Sequence, residues 1–451
     1  MKKHFALLSL VVILTTILAA CGAQPTAPPA APTPAPAAPT AAPAAPTAAP
    51  AEPTKPPEAA APACADPKGC VEIGADDPIR LGWMMAVSGG LATLGTDTKR
   101  GVEIAIDDRK GELLGHKIEL VGKDTLCSAE GGGIAAAKLS ADPKLVSVVG
   151  PSCSSEAYAA IPIMCGAAIP MVSASNTAPD LTADDRTPEY WCYMRTAYND
   201  KVQGAAMADF AWQKGFKRAA TVHDRSIYAQ QLQEVFASRF KELGGTITAQ
   251  EAVAPSDTDM HPMLTRIAAT NPDFIFYPNF IGAGGWISRQ AREVPGLEKV
   301  QLASADGNFS PDFLERAGDA ALGMYHSSPD FSAFGTGYQD FLAKHKVKYG
   351  ENVLGPFHAH AYDAFNLIAN AIEKVAVKNA DGSISIPRDA LTKAMLATKD
   401  MKGLTGNLTC TPMGDCADPK IAVYETFNAD PASWNPGAGP DNNPRKIWPT
   451  R

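Results

Sequence analysis

Residues 145–179 read LVSVVGPSCSSEAYAAIPIMCGAAIPMVSASNTAP. A short apolar run, Leu145 to Gly150, gives way to a hydroxyl-rich loop, Gly150 to Glu156, placed at a helix start. A second run, Ile169 to Ala174, leads into another such loop, Ser173 to Pro179. Apolar runs of strand length separated by a helix-sized segment imply parallel strands joined by crossovers. The alternation extends in both directions through Ile79 to Val87, Lys117 to Val121, Ala219 to His223, Thr246 to Val253, Phe274 to Tyr277, Gln301 to Ala305 and Met324 to His326. Helical period appears in Asp97 to Asp108, Ala129 to Ser140, Val202 to Lys214 and Gln230 to Leu243. The spacing falls into two groups that part around Arg195 to Asn199, so two α/β lobes, each a doubly wound parallel sheet, are expected. A TIM barrel also alternates, but here the pattern fades after Tyr325 into two long helical stretches, Tyr338 to Tyr349 and His358 to Val377, and a turn-rich end. A chain returning to its first lobe reads that way. The expected partition is 64–197 with about 327–410 in lobe 1, and 198–326 with about 411–451 in lobe 2.

The N-terminus reads as an address. Lys2 and Lys3 precede an apolar run from Phe5 to Ala20, which has the form of a secretory signal. The run ends in Leu18-Ala19-Ala20-Cys21-Gly22, which resembles a bacterial lipobox, so Cys21 is the expected lipidation site and 1–20 the signal peptide. Residues 22–63 hold 14 Pro and 18 Ala and cannot build a core. At about 3.1 Å per residue such a Pro-rich tether reaches ~130 Å. Its threonines recur every seven positions from Thr26 to Thr54, which proline bars from being a coiled-coil repeat. The expected location is the extracytoplasmic face of the cell membrane, held by a lipid anchor. Among 451 residues the net charge is −8, which argues against a nucleic-acid partner.

Eight cysteines remain after Cys21: Cys64, Cys70, Cys127, Cys153, Cys165, Cys192, Cys410 and Cys416. An even number in an exported chain suggests disulfides. Cys64 with Cys70 and Cys410 with Cys416 are close enough across turns to pair locally; spacing alone leaves the other four open. No C-x-x-C spacing points to zinc.

In open α/β sheets, ligands bind beyond the carboxyl ends of strands, where helix N-termini present free N–H groups. The loop Val87 to Gly95, with Ser88 and Leu94, lacks the G-x-G-x-x-G spacing of a dinucleotide site. The two hydroxyl-rich loops of the opening stretch together suit a carboxylate-sized anion. In the second half, Tyr228 starts a helix, Phe280 follows one strand and Asp306 another. Asp306 is placed to meet an ammonium group by charge-assisted hydrogen bonds. The set reads as a site for a zwitterion.

These residues give the sequence a specific likeness. Over about 78–430 it resembles the leucine/isoleucine/valine-binding family of ABC-transporter substrate-binding proteins. The matching segments are Ser88-Gly89-Gly90, Asp124-Thr125-Leu126-Cys127, Gly150 to Glu156, Thr177-Ala178-Pro179-Asp180-Leu181, Val222-His223-Asp224 with Tyr228, Arg289-Gln290-Ala291-Arg292, and Tyr362-Asp363-Ala364. The resemblance implies a type I periplasmic binding protein fold, with two lobes joined by three crossovers that close on an amino acid. It places Ser154, Thr177 and the Ser175 backbone on the ligand carboxylate and Asp306 on the ammonium, with Tyr228 and Phe280 closing from the second lobe. It also places the family's loop-to-loop disulfide on Cys127 and Cys153, which leaves Cys165 with Cys192. The sequence departs from that pattern at three points. Leu94 and Phe280 stand where the branched-chain binders carry tyrosines, and Asp306 replaces a glutamate. The implied role is a monomeric binding protein that hands a hydrophobic amino acid to an ABC permease; an amide, urea or organic acid substrate, or a sensing or scaffolding role, is the alternative.

Catalytic readings do not converge. His358 and His360 at i and i+2 of a helical pattern point about 200° apart and cannot share a metal with Asp363 there. G-x-S-x-G is absent, and Ser152 has no base in its sequence neighbourhood. No catalytic residue, cofactor or metal is expected.

Overall fold

The computed structural model describes residues 64–450. The expected signal peptide, Cys21 and the Pro/Ala segment therefore lie outside the described residues. The chain begins with β1 (Cys70–Ile73) and then alternates: β2 (Ile79–Met85), α1 (Ala92–Asp108), β3 (Glu112–Leu113), β4 (His116–Asp124), α2 (Ala129–Ser140), β5 (Leu145–Val149), α3 (Ser154–Gly166), β6 (Met171–Ser173) and β7 (Tyr193–Arg195). The strands from β2 to β7 form a six-stranded sheet in the order β3-β4-β2-β5-β6-β7, parallel except for β3 against β4.

Beyond Arg195 the chain builds a second sheet. Its elements are α4 (Asp200–Gln213), β8 (Arg218–His223), α5 (Ile227–Glu242), β9 (Thr246–Ala252), α6 (His261–Ala268), β10 (Phe274–Phe276), α7 (Ile281–Ala291), β11 (Gln301–Ser304), α8 (Pro311–Ala317) and β12 (Tyr325–Pro329). After α9 (Gly337–Tyr349), α10 (His358–Val375) packs along α1 on the first sheet. Next come β13 (Val377–Lys378), β14 (Ile384–Pro387), which pairs with β1, α11 (Arg388–Leu396), and a hairpin of β15 (Met401–Lys402) and β16 (Asn407–Leu408). The chain then crosses once more to add β17 (Ile421–Glu425) and β18 (Arg445–Trp448) antiparallel to the second sheet, whose order is β18-β17-β12-β11-β10-β8-β9. Three passages thus link the sheets, after β7, after β12 and before β17, and the two doubly wound sheets match the expected fold class.

Burial explains why the central strands read so clearly. Along β2, Leu81 and Met85 enter one core with Val102, Phe365 and Ile368, while Met84 faces Ala135, Leu139 and Ile161. On β10, Phe274 and Phe276 pack on Phe236 and Phe240, and Ile275 faces Leu264 and Ile287. Both faces of each sheet are covered by helices, so the strands are apolar on both sides. Helix starts follow their capping residues: Ser128 accepts the Gly131 N–H before α2, and Ser226 accepts the Ala229 N–H before α5.

Element boundaries differ at several ends. Strand β2 stops at Met85 rather than Val87, and β12, the last of the parallel set, runs from Tyr325 to Pro329 rather than from Met324 to His326. The segment expected to be turn-rich contributes β17 and β18. Four disulfides join Cys64–Cys70, Cys127–Cys153, Cys165–Cys192 and Cys410–Cys416. Among the described residues, no helix is long and apolar enough to cross a membrane.

Candidate functional site

The carboxyl ends of both sheets' strands face a narrow cleft. Leu94, Ser152, Cys153, Ser154, Ser175 and Thr177 line it from the first sheet, Tyr228, Phe280, Asp306 and Gly307 from the second, and Phe357 from the turn before α10. Seven residues expected from sequence meet here: Leu94, Ser154, Ser175, Thr177, Tyr228, Phe280 and Asp306. Ser88 is not among the lining residues; its exposed hydroxyl donates to Asp124.

One wall is built for an anion. Ser154 is the first residue of α3, and its Oγ accepts the Ala178 N–H at 3.3 Å, which leaves its proton free. Helix N-termini favour negative charge through unpaired N–H groups and the helix dipole. The Cys127–Cys153 bridge ties the loop after β4 to the start of α3. Beneath it, buried Glu156 accepts the Cys153 N–H at 3.0 Å, and burial pushes its carboxyl up to about 7. The Ser175 hydroxyl donates to the Ser152 carbonyl at 2.8 Å, and the Ser175 N–H is taken by Ser173 Oγ at 3.2 Å. The Ser175 backbone donor assigned to a carboxylate by resemblance is thus already engaged.

The opposite wall is acidic. Asp306 opens a short helical turn after β11, and its two carboxylate oxygens accept one phenol proton each, from Tyr198 and Tyr228. Tyr228 also accepts the Gly307 N–H at 3.1 Å and stacks obliquely on Phe280, with ring centroids 5.2 Å apart. A Cβ on Gly307 would sit 3.0 Å from both the Asn279 carbonyl and a Tyr228 ring carbon, so glycine permits this close approach. Burial raises the Asp306 carboxyl, against the phenol hydrogen bonds that lower it.

Two members of this wall escaped the sequence reading. Tyr198, in the passage between the sheets, is buried between Asp306, Phe357 and His360. Asp200, the first residue of α4, is buried and accepts the Thr177 hydroxyl at 2.9 Å. The Thr177 hydroxyl spends its proton there and so offers the cleft an acceptor oxygen. Burial, and then the charge of Asp306, push the Asp200 carboxyl well up. Phe357 was also missed. The only sequence mark of the three is Asn199, a helix-capping residue type that begins α4 by accepting the Lys201 N–H at 2.9 Å.

The histidine cluster weighed above does not converge. His358 places Nδ1 on Asp97 and Nε2 within 2.8 Å of the Tyr338 hydroxyl, whereas His360 stacks edge-on with Tyr198. Asp363 instead accepts the Leu404 and Thr405 N–H groups at 2.7 and 2.9 Å.

A profile described as periplasmic binding protein matches residues 78–424. The Leu/Ile/Val-binding protein BraC3 of Rhizobium johnstonii is 26% identical over 352 residues, covering 77% of this chain and 91% of that protein. The solved leucine-binding protein LivK of Thermotoga maritima superposes with a TM-score of 0.69 at 27% identity, covering 78% of this chain and 96% of that one. A solute-binding protein of R. palustris in complex with benzoate shares the fold, with a TM-score of 0.66 at 19% identity over 78% of this chain and 94% of its own. With its profile match running from the first sheet's opening strand to β17, the chain belongs to the periplasmic binding protein family and has its type I fold.

Proposed function

We propose that this protein is the extracytoplasmic substrate-binding component of an ABC transporter. It captures a small zwitterion, a branched-chain or similar hydrophobic amino acid, and presents it to a membrane permease. The observation that carries this reading is the polarity of the cleft. The start of α3, with its free Ser154 proton, lies on one wall and Asp306 on the other, with Leu94, Phe280 and Phe357 supplying apolar surface. The ligand carboxylate sits at the α3 end, and the ammonium group sits between Asp306 and the acceptor oxygen of Thr177. The apolar side chain packs on the two phenylalanines. The lobes, 64–197 with about 327–410 and 198–326 with about 411–451, close about the three passages as a hinge. Lipidation at Cys21 holds the protein at the membrane, with the Pro/Ala segment as its tether.

The test is thermal unfolding of the purified protein, refolded to shed bound ligand, against amino acids, amides, urea and small organic acids. A ligand that binds only the native state raises the midpoint. A rise with leucine, isoleucine or valine supports the reading; a rise confined to organic acids replaces the substrate, and no rise favours a sensing or scaffolding role.

A further inference from the structure

Asp306 is not alone at its end of the cleft. Behind Thr177 lies Asp200, whose Oδ2 accepts the Thr177 hydroxyl while its buried Oδ1 has no partner among the described residues. Both carboxylates are enclosed at one end of the cleft, the charge of Asp306 raises Asp200, and such a pair does not stay doubly ionised without a cation. Arg195, whose charge favours an ionised Asp200, directs its five N–H donors elsewhere, to Asp415, Thr182 and the carbonyls of Asn176 and Ala178.

The other groups facing the pair do not supply the charge. Tyr198 and Tyr228 donate neutral phenol protons, and burial pushes both phenols well up. Gln203 gives its Nε2 to Ser327 and leaves its buried Oε1 unpartnered. On α10, His360 faces Tyr198, and burial holds it down at about 3, so it is neutral across physiological pH.

We propose that Asp200 and Asp306 share one proton in the empty site and release it to solvent when the ligand's ammonium group seats, so that binding exchanges a cation for a proton. The balance is simple. The protonated pair plus a zwitterion gives two ionised carboxylates, a bound ammonium and one free proton. Asp200 is then a positioning residue that acts through charge and through Thr177, and it sets the preference for an amine-bearing ligand over a bare carboxylic acid. The inference rests on the amino-acid reading above and deepens it.

Titration calorimetry with L-leucine, in buffers of different ionisation heat between pH 5 and pH 8, counts the protons. The expected result is close to one proton released per leucine at pH 6, with affinity weakening towards tenfold per unit of falling pH on the acid side. Asp200→Asn is expected to bind leucine with the release abolished. In Glu156→Gln the release is retained, because Glu156 faces Cys153 rather than the pair. The wild-type count decides without any variant: leucine binding with no proton released overturns the proposal. Release that survives in Asp200→Asn, or vanishes in Glu156→Gln, also overturns it. Absence of leucine binding contradicts the amino-acid reading on which the inference rests, and the inference with it.

Discussion

Arg195 and Asp415, 220 residues apart, are joined by two hydrogen bonds: Arg195 Nε to Asp415 Oδ1 at 2.8 Å and Nη2 to Oδ2 at 3.1 Å. The guanidinium is fully buried at the end of β7, and Asp415 lies on the last passage towards β17. Backbone bonds reinforce the link, from the Arg195 N–H to the Gly414 carbonyl at 2.9 Å and from the Cys416 N–H to the Arg195 carbonyl at 3.0 Å. The first and third passages between the sheets are therefore pinned together beside the site. Asp415→Ala strands a buried cation, which costs about 3–5 kcal/mol. Denaturant unfolding checks this; a loss under about 1 kcal/mol would show that the pin is dispensable.

Asp97 fixes the third lining segment. Its carboxylate accepts the N–H groups of Leu354, Gly355, Phe357 and His358 at 3.1, 2.9, 3.0 and 2.9 Å, and so holds Phe357 at the cleft. Asp97→Ala orphans these donors in the interior and should cost at least ~3 kcal/mol. Asp97→Asn keeps the shape but loses acceptors and should fall between. The urea midpoints of the three proteins order the series.

The buried Glu156 makes stability pH-dependent. Its carboxyl rises from an ordinary 4.5 to about 7 in the folded protein because burial disfavours its charge. The folded state thus binds the proton more tightly than the unfolded chain. This contribution is fully present below about pH 4.5 and is lost as pH rises through 7. Its size is roughly 3 kcal/mol, at 1.36 kcal/mol per pH unit of difference. Glu156→Gln should therefore raise the thermal midpoint at pH 8 relative to wild type and narrow the difference between pH 5 and pH 8. An unchanged profile would show that Glu156 is ionised in the folded protein.

The Cys127–Cys153 bridge closes a loop of 26 residues whose second end lines the cleft. Replacing both cysteines by serine should lower stability by about 3 kcal/mol through the released chain entropy. It should also weaken ligand binding by loosening the start of α3. Denaturant unfolding and calorimetry on the same variant separate the two effects.

Much of this architecture is legible in the sequence because parallel strands covered on both faces read as unbroken apolar runs. Helix α2 has the bounds its pattern implies, Ala129 to Ser140. What was missed lacks that contrast. β18 is partly exposed throughout with two basic residues in four, and helix α3, of which the start alone was read, is apolar on most sides and carries Pro162. Site residues that follow long strands, such as Ser154 and Asp306, announce themselves by position. Tyr198 and Asp200 follow β7, three residues long, and Phe357 follows no strand at all; only folding brings them to the cleft.

Calorimetric titration of L-leucine into wild type and Asp306→Ala tests the central claim most directly. The account predicts that wild type binds and that the variant binds at least ~30-fold more weakly, because about 2 kcal/mol is lost when a buried ammonium has no partner. Equal affinity in the two proteins would contradict it.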